Sequence, residues 1–257
     1  ENAPYGLVWE KLGEAMYPEG HPYSWSTIGY ISDLDRVGVN DLKNFFLRWY
    51  GPNNATLTIS GDVDLAKALL LVEKYFGTIP RGPEVKSMDK MLPVLKADRY
   101  ISYEDNIRFP QLSVAWPAVN TMHEDEAALD ALASILSSGK GSPFYKTFIE
   151  TGIAQVAAMF NSSAELAGET MCLIRLYPGH TLSEADSLMN VAFTSFEKEG
   201  VSDDDMTRYK LSTETYFLDD LTSVQGKGAT LAAYSTFYSN PNMIAKDLAR
   251  YKKVTKE

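Results

Sequence analysis

Apolar positions recur at two periods along this chain, and each change of period marks a new element. Between residues 6 and 17, Leu12, Ala15 and Met16 fall at offsets of three and four, a helical stripe that ends before Pro18-Glu19-Gly20. A loop is expected to about residue 39. Asn40 is placed to cap a helix in which Leu42, Phe45, Phe46 and Trp49 occupy positions i, i+3, i+4 and i+7, with Gly51-Pro52 as its stop. Ala55, Leu57 and Ile59 then alternate with Thr56, Thr58 and Ser60, the period of a half-buried strand, which Gly61-Asp62 closes. Helical spacing returns with Leu65, Leu69, Val72 and Phe76, up to Gly77.

From 77 to 96 the periodicity vanishes and Pro80, Gly82, Pro83 and Pro93 accumulate, the composition of a linker running over a surface. This predicts a first domain over 1–80, a linker over 81–96 and a second domain over 97–257. Past the linker, Ile101 and Tyr103, then Leu112, Val114 and Trp116, alternate as two strands do, with Pro117 closing the second. Leu129, Leu132, Ala133 and Leu136 predict a helix that ends at Gly139. A glycine-containing loop over 139–143 leads into another helix at 144–149, and 153–177 read as two strands around a polar turn at Asn161-Ser162-Ser163. Only helices follow. One is capped by Ser183 and carries Leu188, Val191 and Ala192. One starts at Ser202, where the carboxylates of Asp203, Asp204 and Asp205 complement the helix dipole. The run from Met206 to about Phe237 is broken only at Gly226 and Gly228, and a last helix starts near Asn242. Both segments mix strands and helices, an α+β order.

Composition leaves that picture intact. With 45% apolar and 23% charged residues over 257 positions, the chain has the makeup of a folded globular protein, which excludes disorder, collagen-like repeats and coiled coil. The longest purely aliphatic run, Leu69-Leu70-Leu71-Val72, falls far short of the roughly 20 residues that cross a bilayer. Glu1-Asn2-Ala3-Pro4 has neither a basic start nor an apolar block, so these residues predict no signal peptide. The net charge of −10 argues against a nucleic-acid or anionic-lipid surface. Cys172 is the single cysteine, which excludes an internal disulfide, and its setting in Thr170-Met171-Cys172-Leu173-Ile174 reads as a buried strand.

Motifs with a physical mechanism are few. There is no G-x-S-x-G elbow, no H-E-x-x-H and no P-loop. Gly139-Lys140-Gly141-Ser142 is the nearest thing to a phosphate cradle, but it lacks the strand-to-helix setting that makes backbone amides converge on an anion. His21, His123 and His180 are far apart, and none has a His or Cys at metal-ligand spacing. His21, beside Pro22 and Tyr23, reads either as a substrate contact or as a hydrogen-bonded loop anchor; His123 and His180 read as surface or turn residues. The pairs Glu124/Glu126 and Glu197/Glu199 lie at helix ends and read as solvated faces. Read residue by residue, the sequence assigns no catalytic constellation.

Longer stretches add a resemblance. Glu1-Asn2-Ala3-Pro4-Tyr5-Gly6, then Tyr17-Pro18-Glu19-Gly20-His21-Pro22-Tyr23 through Thr27-Ile28-Gly29, are followed by Asp41-Leu42, Phe45-Phe46, Tyr50, Pro52-Asn53-Asn54-Ala55-Thr56-Leu57 and Gly61-Asp62. In order and spacing they closely resemble the pitrilysin/insulinase family of zinc metallopeptidases, particularly bacterial members similar to mitochondrial processing peptidase. More loosely, Leu136 with the 139–141 loop, Phe144-Tyr145, Tyr238, Asn240-Pro241, Ile244, Asp247-Leu248, Arg250-Tyr251 and Val254-Thr255 resemble the family's next domain. The resemblance implies an α+β chain of two homologous metallopeptidase-type α/β-sandwich domains, each a sheet covered by helices. The first would be incomplete and the second truncated at its C-terminus, so that the chain looks like a fragment.

The family binds zinc through an inverted H-x-x-E-H helix and a more distant Glu, and no H-x-x-E-H occurs here. The resemblance therefore implies zinc in the complete protein and none bound by this chain, and no catalytic or metal role passes to Glu1, His21 or any other residue. It implies part of a zinc-dependent endopeptidase or oligopeptidase that encloses unfolded peptides in a chamber, this chain being a piece of the catalytic half and inactive alone. The alternative is a non-catalytic homologous half or subunit that binds peptide or scaffolds an active partner. Gly139, Lys140, Gly141 and Ser142 stand where relatives carry a glycine-rich segment facing the chamber, which makes them candidate peptide contacts. The implied partners are unfolded peptide and a second homologous half, fused or separate, with no nucleic acid and no membrane span; the implied compartment is a bacterial cytoplasm or periplasm.

Overall fold

The computed structural model describes residues 3–257; Glu1 and Asn2, at the head of the stretch that carries the resemblance, lie outside the described residues. In chain order the elements are α1 (Val8–Met16), α2 (Ile31–Leu34), α3 (Val39–Trp49), α4 (Leu65–Phe76), β1 (Gln111–Ala118), α5 (Glu126–Ser137), β2 (Ala154–Ser163), β3 (Gly168–Leu176), α6 (Leu182–Glu199), α7 (Asp203–Asp220), α8 (Val224–Tyr238) and α9 (Ile244–Lys252). Short 3-10 turns form at Pro22–Ser24 and Pro52–Asn54, and a π-helical turn at Tyr145–Ile149. Helices together with one small antiparallel sheet make the class α+β.

Several element ends differ from the periodicity reading, each for a local chemical reason. Asn40 lies inside α3, whose N-cap is Gly38; the Gly38 N–H donates to the Asp41 carboxylate at 2.9 Å. Thr181 rather than Ser183 caps α6, in a capping box where Glu184 N–H donates to the Thr181 hydroxyl at 3.1 Å. Ser202 does start α7 as expected, accepting from Asp205 N–H at 3.1 Å. The helical run after Met206 breaks at Leu221 to Ser223, not at the glycines, and Ser223 caps α8 by accepting from Gly226 N–H at 2.9 Å. Gly226 is required there by crowding, since a Cβ would fall 1.9 Å from the Asp220 carbonyl oxygen.

The strands also shift. Asn161-Ser162-Ser163 belongs to β2, and the hairpin turns over 164–167, closed by Ala164 N–H donating to Ala167 O at 2.9 Å. Pro117 lies within β1 rather than ending it, a placement open to proline because β1 is an edge strand. Ile101 and Tyr103 form no strand, and neither do residues 55–60. Alternation in a sequence shows which face a strand would bury, but a strand exists only when a neighbour accepts its hydrogen bonds.

The chain gathers into two compact units that interleave along the sequence. Unit 1 takes the residues up to Gly29, Asp89–Lys210 and Arg250–Glu257; unit 2 takes Tyr30–Met88 and Leu211–Ala249. Residues 81–96 have no regular structure, and the chain passes between the units after Gly29, Met88, Lys210 and Ala249.

Unit 1 is organised on a sheet of order β1-β3-β2, antiparallel throughout, with Val114 and Met159 on either side of Cys172, and Leu112 and Ala157 on either side of Ile174. Cys172, Ile174 and Leu176 point to one face of the central strand, where they pack with Ala185, Met189 and Ala192 of α6 and with Phe144 and Phe148. On the other face Met171 is equally buried between Ala115 and Phe160, and Trp9 of α1 approaches Phe160 with ring centroids 6.1 Å apart. Burying each of these large side chains contributes about 1.5–3 kcal/mol.

Burial pushes the Cys172 thiol up to about 12, so the reactive thiolate is absent near neutral pH. Alkylation of Cys172 by iodoacetamide is expected to be undetectable in the folded protein at pH 8 and rapid in denaturant. Fast labelling of the native protein would show that β3 is not the closed centre described here.

Candidate functional site

The loop over 139–142 is mounted between α5 and the π-helical turn. Gly139 lies in the left-handed region at φ 82°, which favours glycine because no Cβ must clash there. Ser142 is buried and closes the loop: its hydroxyl donates to Gly139 O at 2.8 Å and accepts from Tyr145 N–H at 3.3 Å. Behind it, Phe144 and Phe148 are fully buried with rings edge to face at 5.8 Å, so the turn that follows is pinned to the core. Gly139, Lys140 and Gly141 are left exposed on a rigid mount. Gly141 has an ordinary φ and open space where a Cβ would stand, so folding does not demand a glycine at that position.

His21 is a loop anchor. It is buried, its Nε2 lies 2.8 Å from the Met91 carbonyl, and its Nδ1 accepts from Tyr23 N–H at 3.0 Å. A carbonyl can only accept, so the proton sits on Nε2 and the ring has no nitrogen left for a ligand. Tyr17 stacks on it at 4.6 Å and donates to Glu169 at 2.6 Å, and Tyr23 OH accepts from Leu166 N–H at 3.0 Å. Burial, followed by that Glu169 contact, holds the Tyr17 phenol well above its ordinary pKa. The stretch 17–23, one carrier of the resemblance, is thus a latch onto the β2–β3 hairpin.

Glu126 corrects the solvated-face reading, whereas Glu124, Glu197 and Glu199 are exposed as expected. The Glu126 carboxylate is buried, accepts from Met122 N–H at 2.7 Å, and pairs with Arg250 Nη2 at 2.6 Å. Arg250 also donates to His123 O at 2.8 Å. Beside this pair, Thr170 donates to Asn161, Asn161 to Asp130, and Tyr251 to the same Asp130, at 2.9, 2.9 and 3.0 Å. Sequence reasoning missed the clamp because its partners are 124 positions apart. The one available signal was that Arg250-Tyr251 belongs to the loosely matched stretches.

Zinc does not fit the residues present. His123 Nδ1 accepts from Asp125 N–H and His180 Nδ1 faces Glu184, each apart from the engaged His21. Among the described residues no three His, Cys, Asp or Glu side chains gather in a group able to hold a metal ion. The depression lined by Lys11, Glu14, Ala15, Arg99, Tyr100 and Ile101 is open to solvent, and its Lys11 and Glu14 are engaged with each other at 3.3 Å.

Comparison with known proteins gives this architecture a family. The model described as the Peptidase M16 inactive domain matches residues 36–212, and the chain belongs to that family. It is 24% identical over 240 residues to the zinc protease PqqE of Helicobacter pylori, a match covering 91% of this chain and 53% of that protein. Two crystal structures share the fold. A protease from Helicobacter pylori superposes with a TM-score of 0.84 at 20% identity, over 99% of this chain and 62% of that one. A peptidase M16 inactive domain from Pseudomonas fluorescens gives 0.76 at 17% identity, over 97% and 59%. The chain thus spans about half the length of the PqqE relative. The resemblance to pitrilysin/insulinase zinc metallopeptidases is met by these matches.

Two expectations follow from the geometry. Arg250→Met should destabilise the protein by roughly 3 kcal/mol, because it leaves a buried carboxylate with its counter-charge removed; a loss under about 1 kcal/mol in urea unfolding would show that the clamp is solvated. Gly139→Ala should cost about 1 kcal/mol through its positive φ, while Gly141→Ala should lie within about 0.5 kcal/mol of the parent. Equal losses at both positions would mean that Gly141 is also held by the fold.

Proposed function

We propose that this chain is the non-catalytic half of a zinc-dependent endopeptidase or oligopeptidase, forming one wall of a chamber that holds unfolded peptide. The observation that carries the reading is the match to the inactive domain across 36–212. Zinc and the general base belong, in this reading, to a second homologous half, fused or separate, and this chain supplies neither. The chain divides into the latter part of a first domain over 1–80 and a second domain over 97–257, joined by 81–96. The compartment is a bacterial cytoplasm or periplasm; no helix among the described residues is long and apolar enough to cross a membrane.

Within that chamber Gly139, Lys140, Gly141 and Ser142 form the peptide-contact loop. The support is local. Ser142 holds the loop shut from inside, and Gly139 sets its turn. Gly141 is a glycine for which neither φ nor crowding gives a reason, which suits the close approach of a ligand backbone. Lys140 adds an exposed cation beside it.

The test uses the full-length product of the gene beside the pure 257-residue chain. The full-length protein is expected to bind zinc and to cleave unfolded peptides in a chelator-sensitive way, and the 257-residue chain to do neither. In the full-length protein, Gly141→Ala should raise KM for peptide several-fold with the melting temperature unchanged. Chelator-sensitive cleavage by the 257-residue chain would overturn the assignment as a non-catalytic half, and an unchanged KM would remove the loop from the peptide path.

A further inference from the structure

Charge is spread unevenly along this acidic chain. Acidic side chains outnumber basic ones 34 to 24, yet no carboxylate side chain lies between Asp130 and Glu150, where the charged residues are Lys140 and Lys146. Both lysines are exposed, and among the described residues neither ammonium has a hydrogen-bond or ion-pair partner. They stand on either side of Ser142, whose carbonyl accepts from Lys146 N–H at 3.1 Å. The rigid mount that holds Gly139 and Gly141 therefore carries two free cations.

Tyr145 adds a third donor. Its backbone N–H is taken up by the Ser142 hydroxyl and the residue is half-buried, but its phenol meets no partner among the described residues. Tyr145 also opens the π-helical turn Tyr145–Ile149, closed by Glu150 N–H donating to Tyr145 O at 2.9 Å. Such turns are rare in proteins and recur at functional sites. An ammonium only donates and a phenol readily does so, so this stretch offers donors and positive charge with no acceptor of matching charge. The group that fits is an anion. On a peptide the anions are carboxylates, either Asp and Glu side chains or the free C-terminus. A long polyanion would also meet the carboxylates that give the chain its net charge of −10, whereas a single carboxylate need not.

We propose that Lys140, Tyr145 and Lys146 form a carboxylate site beside the peptide-contact loop, which selects peptides that present an acidic side chain or a free C-terminus there. This rests on the reading of 139–142 as a peptide contact. Lysine is a flexible point charge rather than a planar fork, so the site reads charge and not shape, and arginine in either place should serve. Because both lysines stay in water, the preference is modest, about fivefold.

The test uses the full-length gene product and a neutral parent peptide in which Glu or Gln is placed at each position in turn, every peptide made with a free and with an amidated C-terminus. Glu is expected to exceed Gln about fivefold in kcat/KM at one position, which assigns the site to a side chain, or the free C-terminus to exceed the amide by that factor, which assigns it to the terminus. Lys140→Gln and Lys146→Gln should each lower that ratio and together bring it to about one, Tyr145→Phe should lower it, and Lys140→Arg and Lys146→Arg should keep it. In the unmodified protein, raising ionic strength from about 0.05 to 0.5 M should erase it. Cleavage with no preference for a carboxylate, or a preference that survives the double variant or the salt, overturns this inference and leaves the functional reading standing. If the full-length protein cleaves nothing, fluorescence anisotropy of the same peptides, labelled, reads the ratio as affinity. A carboxylate preference that the double variant removes then supports the site while the peptidase reading falls, and failure to bind any of the peptides overturns both.

Discussion

β3 is the middle strand of the described sheet, and it carries buried side chains on both faces. Cys172, Ile174 and Leu176 meet α6 and the paired phenylalanines, while Met171 lies between Ala115 and Phe160. A central strand packed on both sides makes every flanking element depend on its register, because a slip by one residue would exchange the two faces. The loop over 139–142 inherits its position from this arrangement. Phe144 and Phe148, which anchor the turn just after it, fill the same cluster as β3 and α6.

Polar groups then fix what apolar packing leaves free. The chain Thr170, Asn161, Asp130 and Tyr251 crosses from the sheet to α5 and on to the C-terminal part of the chain, with every bond between 2.9 and 3.0 Å. Glu126 and Arg250 add a charged clamp at the start of α5. Such networks add little net stability compared with an apolar core, but leaving one partner unpaired is costly, so they favour one arrangement over near alternatives. In the proposed role as one wall of a peptide chamber, that selectivity is the useful property. His21, the most suggestive side chain in the sequence, serves the same end by tying the 17–23 turn to Met91.

The two compact units show opposite ways of treating apolar residues. Unit 1 hides them around β3, whereas unit 2 carries amphipathic helices whose apolar stripes face water. Local contacts mark where such helices start, as the Asp64 cap of α4 and the Asp41 contact of α3 illustrate. They do not supply a core, which needs a second layer.

Helix periodicity, the cap at Ser202, the buried setting of Cys172 and the missing zinc motif were all legible in the sequence, because each depends on residues within a few positions of one another. The α+β class and the family resemblance were legible for a similar reason, resting on ordered short stretches. What only the tertiary structure decided involves partners far apart in the chain. Alternation marks a strand at both 55–60 and 112–116, yet only the second finds a neighbour to accept its hydrogen bonds. Glu126 looked solvated until Arg250 stood beside it, and Asn161 looked like a turn residue until Asp130 and Thr170 held it in β2. Local sequence sets the periodicity and the caps of an element, but burial and pairing depend on what arrives from elsewhere in the chain.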